Sequence, residues 1–126
     1  MFNIENDTLY FTRGDTISFN LSIDGYMFQP NDKIAFRIYE RSRLNQAPLS
    51  ETITTVEEAT ASIKITLPPE ATRVGQIINK PIEYWYEIEL NDDQTVIGYD
   101  ENGPKVIVLY QEGEISGDGE WKVMEK

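Results

Sequence analysis

Hydrophobic and polar residues alternate with a period of two along most of the chain, a pattern typical of β-strands with one buried face. In 16–23, isoleucine, phenylalanine and leucine alternate with threonine, serine and asparagine, and the turn dipeptide Asp24-Gly25 follows. In 82–90, every even position is apolar. The same alternation predicts further strands at 2–11, with a break at Asn6-Asp7, and at 26–28, 34–38, 49–55, 63–67, 95–99 and 105–110.

Helix signals are scarce. The one candidate is the stretch 68–74, which opens on two prolines and which Gly75 can end. Strands joined by short turns, with this late crossover, predict an all-β fold: a single antiparallel, immunoglobulin-like β-sandwich over 1–114 with one short helical crossover. Tyr84, or alternatively Tyr86, is then the tyrosine that anchors the corner after the crossover. The glycine-containing stretch 115–126 is expected to form a polar C-terminal tail.

The alternation also predicts which side chains form the core and which face outward. The expected core residues are Phe19, Leu21, Phe36, Ile38, Ile63, Ile65, Tyr84, Tyr86 and Ile88. Trp85 has the opposite parity and shares the other face of its strand with Glu83, Glu87 and Glu89. Because tryptophan is common at the centre of protein interfaces, we predict an interface centred on Trp85 with these carboxylates as its polar rim. Trp121 in the tail is a further interface candidate, or alternatively covers Trp85 within the same chain.

Composition narrows the chemistry and the partners. The 126 residues include no histidine and no cysteine, which excludes imidazole bases, thiolate nucleophiles, disulfides and Cys/His metal sites. With 22 acidic and 11 basic residues, the net charge of -11 argues against nucleic acid and against anionic membranes as partners. The N-terminus lacks the pattern of a signal peptide, and the longest apolar run, 106–110, is too short to span a bilayer.

Two carboxylates raise the possibility of an enzyme. Glu87 and Glu89 on one strand face lie about 7 Å apart, within the range for inverting glycosidases, and Trp85 beside them is suited to stacking on a sugar. A flat strand face, however, supplies neither a cleft nor a buried acid. A solvated strand face is therefore the favoured interpretation, and we expect no enzymatic activity and no cofactor.

Two loop motifs have structural explanations. Asp92-Asp93 and the stretch 100–103 contain oxygen ligands, but the spacing of an EF-hand calcium loop is missing, so turn chemistry is favoured over a metal. Arg13-Gly14-Asp15 is an integrin-type tripeptide, but Gly14 and Asp15 equally suit a turn before the next strand. We expect neither a metal site nor an adhesion motif here.

Four segments together resemble a known family. They are 9–16 (LYFTRGDT), 31–36 (NDKIAF), 78–90 (INKPIEYWYEIEL) and 95–105 (TVIGYDENGPK). In their order they resemble small acidic proteins encoded among tail and baseplate genes of phages and prophages of Gram-positive gut bacteria, which are similar to the immunoglobulin-like module of upper baseplate proteins. The resemblance extends over residues from about 3 to 114 and implies no catalytic residues.

The resemblance implies a non-enzymatic structural or accessory protein of the virion. Such a protein is assembled in the cytoplasm of the host bacterium and acts by associating with itself, as a homo-oligomer, or with other virion proteins. The alternative is a carbohydrate- or host-surface-binding β-sandwich that uses Trp85 and exposed tyrosines as its platform.

Overall fold

Strands form at nearly all the positions that the alternating pattern predicts. The computed structural model describes residues 2–5, 7–41, 47–75, 81–98, 101 and 103–110. Within them the elements are β1 (Phe2–Glu5), β2 (Thr8–Thr12), β3 (Ile17–Leu21), β4 (Lys33–Tyr39), β5 (Ser50–Thr55), β6 (Ile63–Leu67), α1 (Pro69–Thr72), β7 (Ile82–Leu90), β8 (Gln94–Ile97) and β9 (Lys105–Tyr110). The predicted tail, with Trp121, lies outside the described residues.

The strands form two sheets that pack face to face, so the predicted all-β sandwich is confirmed. The larger sheet has the order β1-β2-β9-β7-β4-β5, with β8 also paired with β7, and the smaller sheet is β3-β6. The order β9-β7-β4-β5 beside a β3-β6 pair corresponds to strands G-F-C-C′ and B-E of immunoglobulin-like domains. The sandwich is not wholly antiparallel, because β2 runs parallel to β9. Alternation assigns side chains to faces but does not set the direction of neighbouring strands, so the sequence pattern missed this pair.

Two predicted segments are shorter or less regular than expected. The stretch around Phe28 forms no strand but one isolated bridge to Thr60, because Pro30 and Asn31, with φ of 76°, turn the chain there. The crossover helix is a single turn, α1, instead of the whole stretch 68–74. The predicted break in the N-terminal strand is confirmed, since Asp7 has φ of 67° between β1 and β2.

The core lies between the two sheets. Seven of the nine predicted core residues are buried, namely Leu21, Phe36, Ile38, Ile65, Tyr84, Tyr86 and Ile88. Phe19 and Ile63 are only partly buried against this core. Both lie in the two-stranded sheet, Phe19 in the middle of β3 and Ile63 at the start of β6. At the centre, the ring of Phe36 stacks on Tyr86 at 5.4 Å and meets Phe19 edge-on at 5.9 Å.

Polar contacts of buried side chains fix the corner between β2, β3 and α1. Arg13 is buried, and its Nε donates a hydrogen bond to the carbonyl of Val74 at 3.2 Å. Thr72 Oγ1 donates to the carbonyl of Asp15 at 2.6 Å. The Arg13-Gly14-Asp15 tripeptide is therefore part of the packed structure, and its arginine is not presented to solvent for recognition.

The two candidate corner tyrosines have different roles. The hydroxyl of Tyr84 lies against Gly75, only 1.6 Å from where a β-carbon would stand, so Tyr84 packs on the turn that follows α1. Tyr86 instead donates to the carbonyl of Asp7 at 2.6 Å and ties β7 to the β1–β2 turn. Burial, together with the nearby charge of Asp7, raises the pKa of Tyr86 above its usual value, so its hydroxyl remains a donor.

Phe36 should be among the most costly core residues to truncate. It is 1% exposed, so Phe36→Ala leaves a cavity beside Tyr86, and we expect the free energy of unfolding to fall by about 3–5 kcal/mol. Met27→Ala is the control, because Met27 is 52% exposed and its truncation should change stability by less than about 0.5 kcal/mol. Urea denaturation followed by tryptophan fluorescence measures both. Equal stability of the two variants would show that the register of β4 is wrong.

A side chain at Gly75 should destabilise the fold more than one at Gly25. Gly75 and Gly25 both have positive φ, 74° and 77°, but nothing lies within 4 Å of a β-carbon built at Gly25. Gly25→Ala should therefore cost only the strain of the left-handed backbone, about 1–2 kcal/mol. Gly75→Ala adds the clash with Tyr84 and should cost about 1–3 kcal/mol more. Thermal unfolding of the two variants gives the difference, and similar melting temperatures would contradict the packing of Tyr84 on this turn.

Candidate functional site

One half of the outer face of the larger sheet is apolar. We use outer face for the side that points away from β3 and β6. Residues directly opposite in paired strands share a face, and the register aligns Trp85 with Tyr39 and Val106, and Val108 with Tyr10. These five residues (Tyr10, Tyr39, Trp85, Val106 and Val108) form the apolar half of the outer face. Tyr39 is buried and the other four are half-buried.

The other half of the outer face is a charged cluster around Arg37. Its Nε lies 2.6 Å from Glu51 Oε2 and its Nη2 lies 2.7 Å from Asp92 Oδ1. Its Nη1 contacts Glu89 and lies 3.5 Å from Glu87 Oε2. We call these five residues the Arg37 cluster. One guanidinium thus faces four carboxylates, which leaves the cluster with a surplus of negative charge.

Arg37 and the neighbouring Tyr39 are each held in one protonation state. Burial favours a lower pKa for Arg37, but the hydrogen bonds to Glu51, Asp92 and Glu89 outweigh it and raise the pKa above its usual value. Burial also raises the pKa of Tyr39, and the hydrogen bond that its hydroxyl donates to Glu87 at 2.8 Å adds to this. Neither Arg37 nor Tyr39 can therefore exchange a proton near neutral pH, which suits a fixed ionic structure better than acid–base catalysis.

The predicted site residues lie on one face, as their parity indicated. Trp85, Glu87 and Glu89 are half-buried on the outer face of β7, while the even positions Tyr84, Tyr86, Ile88 and Leu90 are buried in the core. Glu87 and Glu89 both contact Arg37, and Glu83 lies 3.4 Å from Arg41 Nη1. The three carboxylates therefore already have partners within the chain.

Arg37 is the important residue of the site that the sequence analysis missed. It lies at an outward position of β4, where a single basic residue interrupts an apolar run. This isolated charge in an apolar strand was the sequence feature that could have identified Arg37 as a site residue. Its four partners come from β5, β7 and the turn after β7, so only the strand pairing brings them together.

The enzymatic and metal interpretations gain no support from the described residues. Glu87 and Glu89 lie side by side on one strand and contact the same guanidinium, so they do not face each other across a cleft. No group of described carboxylates is arranged to hold a metal ion, and Asp100 and Asn102 lie outside the described residues. Among the described helices, none has the length and apolarity needed to cross a bilayer.

Arg37 should stabilise the sheet more than an ordinary surface charge does. Its side chain is 15% exposed, so Arg37→Gln leaves Glu87 and Glu89 partly buried without their cation. We expect a loss of about 1–3 kcal/mol, partly recovered in 1 M NaCl, where the Debye length is about 3 Å.

Arg41→Gln is the matched control for that prediction. Arg41 and Glu83 are 68% and 52% exposed, so breaking their ion pair should cost less than about 0.5 kcal/mol. Urea denaturation at low and high salt compares the two variants. Equal losses, or no effect of salt on Arg37→Gln, would contradict the role of Arg37 as the neutralising charge.

No protein-family model, no curated protein and no solved structure matches the chain.

Proposed function

We propose that this protein is a non-enzymatic structural or accessory component of a phage virion, in the tail or baseplate, and that it acts by assembling with other proteins. The observation that carries the proposal is the apolar half of the outer face. The resemblance of four segments to proteins of phage tail and baseplate regions supplies the biological setting. In that setting the chain is assembled in the bacterial cytoplasm and becomes part of the particle.

The apolar half has the features of a docking surface. Trp85 lies between Tyr39 on β4 and Val106 on β9, and Val108 and Tyr10 continue the apolar surface toward β2. Because these strands are central in the sheet, the surface is rigid and its side chains need little ordering on binding. A half-buried tryptophan with apolar neighbours and a charged border resembles the anchor residues of protein interfaces.

The Arg37 cluster defines the character of the partner. With four carboxylates and one guanidinium beside the apolar half, the surface favours a partner that combines apolar side chains with lysine or arginine. In this proposal the carboxylates around Trp85 steer and orient the partner, and the contact energy comes from the apolar half.

A second candidate is binding of a carbohydrate or another host-surface ligand. Tyr10 and Trp85 are half-buried aromatic residues on the outer face, and aromatic faces are suited to stacking on sugars. Against this, Tyr39 is buried and its hydroxyl already donates to Glu87, so it is not available to a sugar. We therefore place protein assembly first and test the glycan alternative in the same experiment.

Replacing Trp85 should abolish assembly without unfolding the chain. In a phage that encodes this chain, quantitative mass spectrometry of purified particles should find the wild-type protein at a fixed copy number. Trp85→Ser should remain folded, because Trp85 lies on the outer face and not among the buried core residues of β7, but be reduced at least tenfold in particles. Met27→Ser, which removes an apolar side chain from another part of the surface, should be incorporated normally.

Three results would contradict this proposal. The wild-type protein would be absent from purified particles, or Trp85→Ser would be incorporated normally while its melting temperature falls by several degrees. The second result makes Trp85 a packing residue, which includes the alternative that Trp121 covers it. Specific binding on a glycan array that is lost in Trp85→Ser, with no protein in particles, would replace assembly by the carbohydrate alternative.

A further inference from the structure

Strand β5 ends the larger sheet and lacks the features that keep edge strands from pairing with other chains. Among the described strands only β4 pairs with it, and its six residues, SETITT, include no proline, glycine or lysine. Natural edges are usually very short, bulged, or marked by proline or lysine. Of the other edge strands, β1 and β8 have four residues each and β6 carries Lys64. The remaining edge strand, β3, also lacks proline, glycine and lysine, but it has no large apolar side chain that is exposed. The one charged residue of β5, Glu51, shares the guanidinium of Arg37 with three other carboxylates.

Three residues of β5 direct their backbone hydrogen-bonding groups away from the sheet. The N–H of Val56 donates to the carbonyl of Asp32 at 2.9 Å, which places Val56 at a hydrogen-bonded position next to β4. Backbone groups of successive residues in a strand point to opposite sides. Ser50, Thr52 and Thr54 therefore bond to β4, whereas the N–H and C=O groups of Glu51, Ile53 and Thr55 point outward.

The side chains along this edge are also open to a partner. The large apolar side chains that are exposed among the described residues are Met27, Leu49 and Ile53, and two of these three belong to the β5 edge. A groove of about 450 Å³ runs beside the strand, between 49–53 and the start of α1 at Pro68, Glu70 and Ala71. The edge thus combines outward hydrogen-bonding groups, an exposed isoleucine and space for an extended segment.

We propose that β5 pairs with β5 of a second copy of this chain, antiparallel, across a two-fold axis at Ile53. This inference rests on the assembly role proposed above and names one partner. With Ile53 opposite Ile53 of the second copy, Glu51 of each chain lies opposite Thr55 of the other. The outward groups of three residues in each chain then form six hydrogen bonds, and the two exposed isoleucines cover each other.

Charge favours an axis at Ile53 over an axis at Glu51. Lys33 is exposed, lies beside Thr55 on the outer face, and has no ion-pair partner among the described residues. In the proposed pair, Lys33 of the second copy lies two strand spacings, about 10 Å, from Glu51, within reach of a long side chain. An axis at Glu51 would instead place two carboxylates directly opposite each other, which is unfavourable. The axis at Ile53 therefore joins complementary charges and avoids like ones.

The proposed dimer is weak and its affinity can be measured. Six hydrogen bonds and one apolar pair make a contact smaller than the standard interface of about 1,600 Å², so we expect a dissociation constant of about 10–100 µM. Sedimentation equilibrium of the purified chain measures it. Ile53→Lys places two ammonium groups at the axis and should weaken the dimer at least tenfold. Met27→Lys changes the net charge equally at a similarly exposed position and should dimerise as the wild type does.

Single cysteines test the register directly, because the chain has no cysteine of its own. Directly opposite residues of a hydrogen-bonded pair have Cα atoms about 5.5 Å apart, within the range of a disulfide. Ile53→Cys should therefore form a disulfide-linked dimer under mild oxidation. Thr55→Cys lies on the same strand and face, but its two copies are about 14 Å apart in this register and should link at least tenfold more slowly.

Each outcome decides the inference separately from the proposed function. A dimer that Ile53→Lys disrupts and Ile53→Cys captures supports it. A wild-type chain that stays monomeric at 1 mM, or equal cross-linking of Ile53→Cys and Thr55→Cys, overturns it, even where Trp85-dependent incorporation into particles is intact. A monomeric chain whose incorporation is lost in Ile53→Lys also overturns self-pairing, and shows that the edge receives a strand of another virion protein.

Discussion

The two-sided character of β7 is the constraint on which the rest of the structure depends. This strand pairs with β4, β9 and β8, and it alternates four buried apolar side chains with outward tryptophan and glutamate. A slip of one residue would move Tyr84, Tyr86, Ile88 and Leu90 into water and three carboxylates into the core. Since burial of each apolar side chain is worth about 1.5–3 kcal/mol, no other register is compatible with a folded domain.

The fixed register of β7 also brings two negative charges together on the outer face, and Arg37 contacts both of them and stabilises them. Glu87 and Glu89 must lie next to each other on the outer face, and the pairing with β4 places Arg37 directly opposite Glu87. The guanidinium has enough donors to bind β5, β7 and the following turn at once. It therefore links three segments that are distant in sequence. The same group also pairs with Glu51, so the single carboxylate of the β5 edge has a partner within its own chain.

The bounds of individual strands and the face to which each side chain points were predictable from the sequence, whereas the contacts between strands were not. The bounds of β6, β7 and β9, and the outward direction of Trp85, follow from alternation, because a strand exposes successive residues on opposite faces. The Arg37 cluster and the parallel pairing of β2 with β9 depend on which strands become neighbours. Phe19 was predicted as core from its parity but is only partly buried, because the extent of burial depends on neighbours that are distant in sequence, which no local pattern encodes.

The outer face and the β5 edge reinforce each other in the proposed assembly. An antiparallel pair across a two-fold axis perpendicular to the sheet keeps both outer faces on the same side, so Trp85 of each copy points in the same direction. From β7 to β7 of the second copy there are five strand spacings, about 24 Å. A virion surface with a repeated binding position at this distance engages both copies at once. The second contact is then intramolecular, and avidity can exceed either single affinity by about 10²–10⁴. A weak edge pair and a modest apolar surface are therefore sufficient for stable incorporation, because each strengthens the other without any further contact.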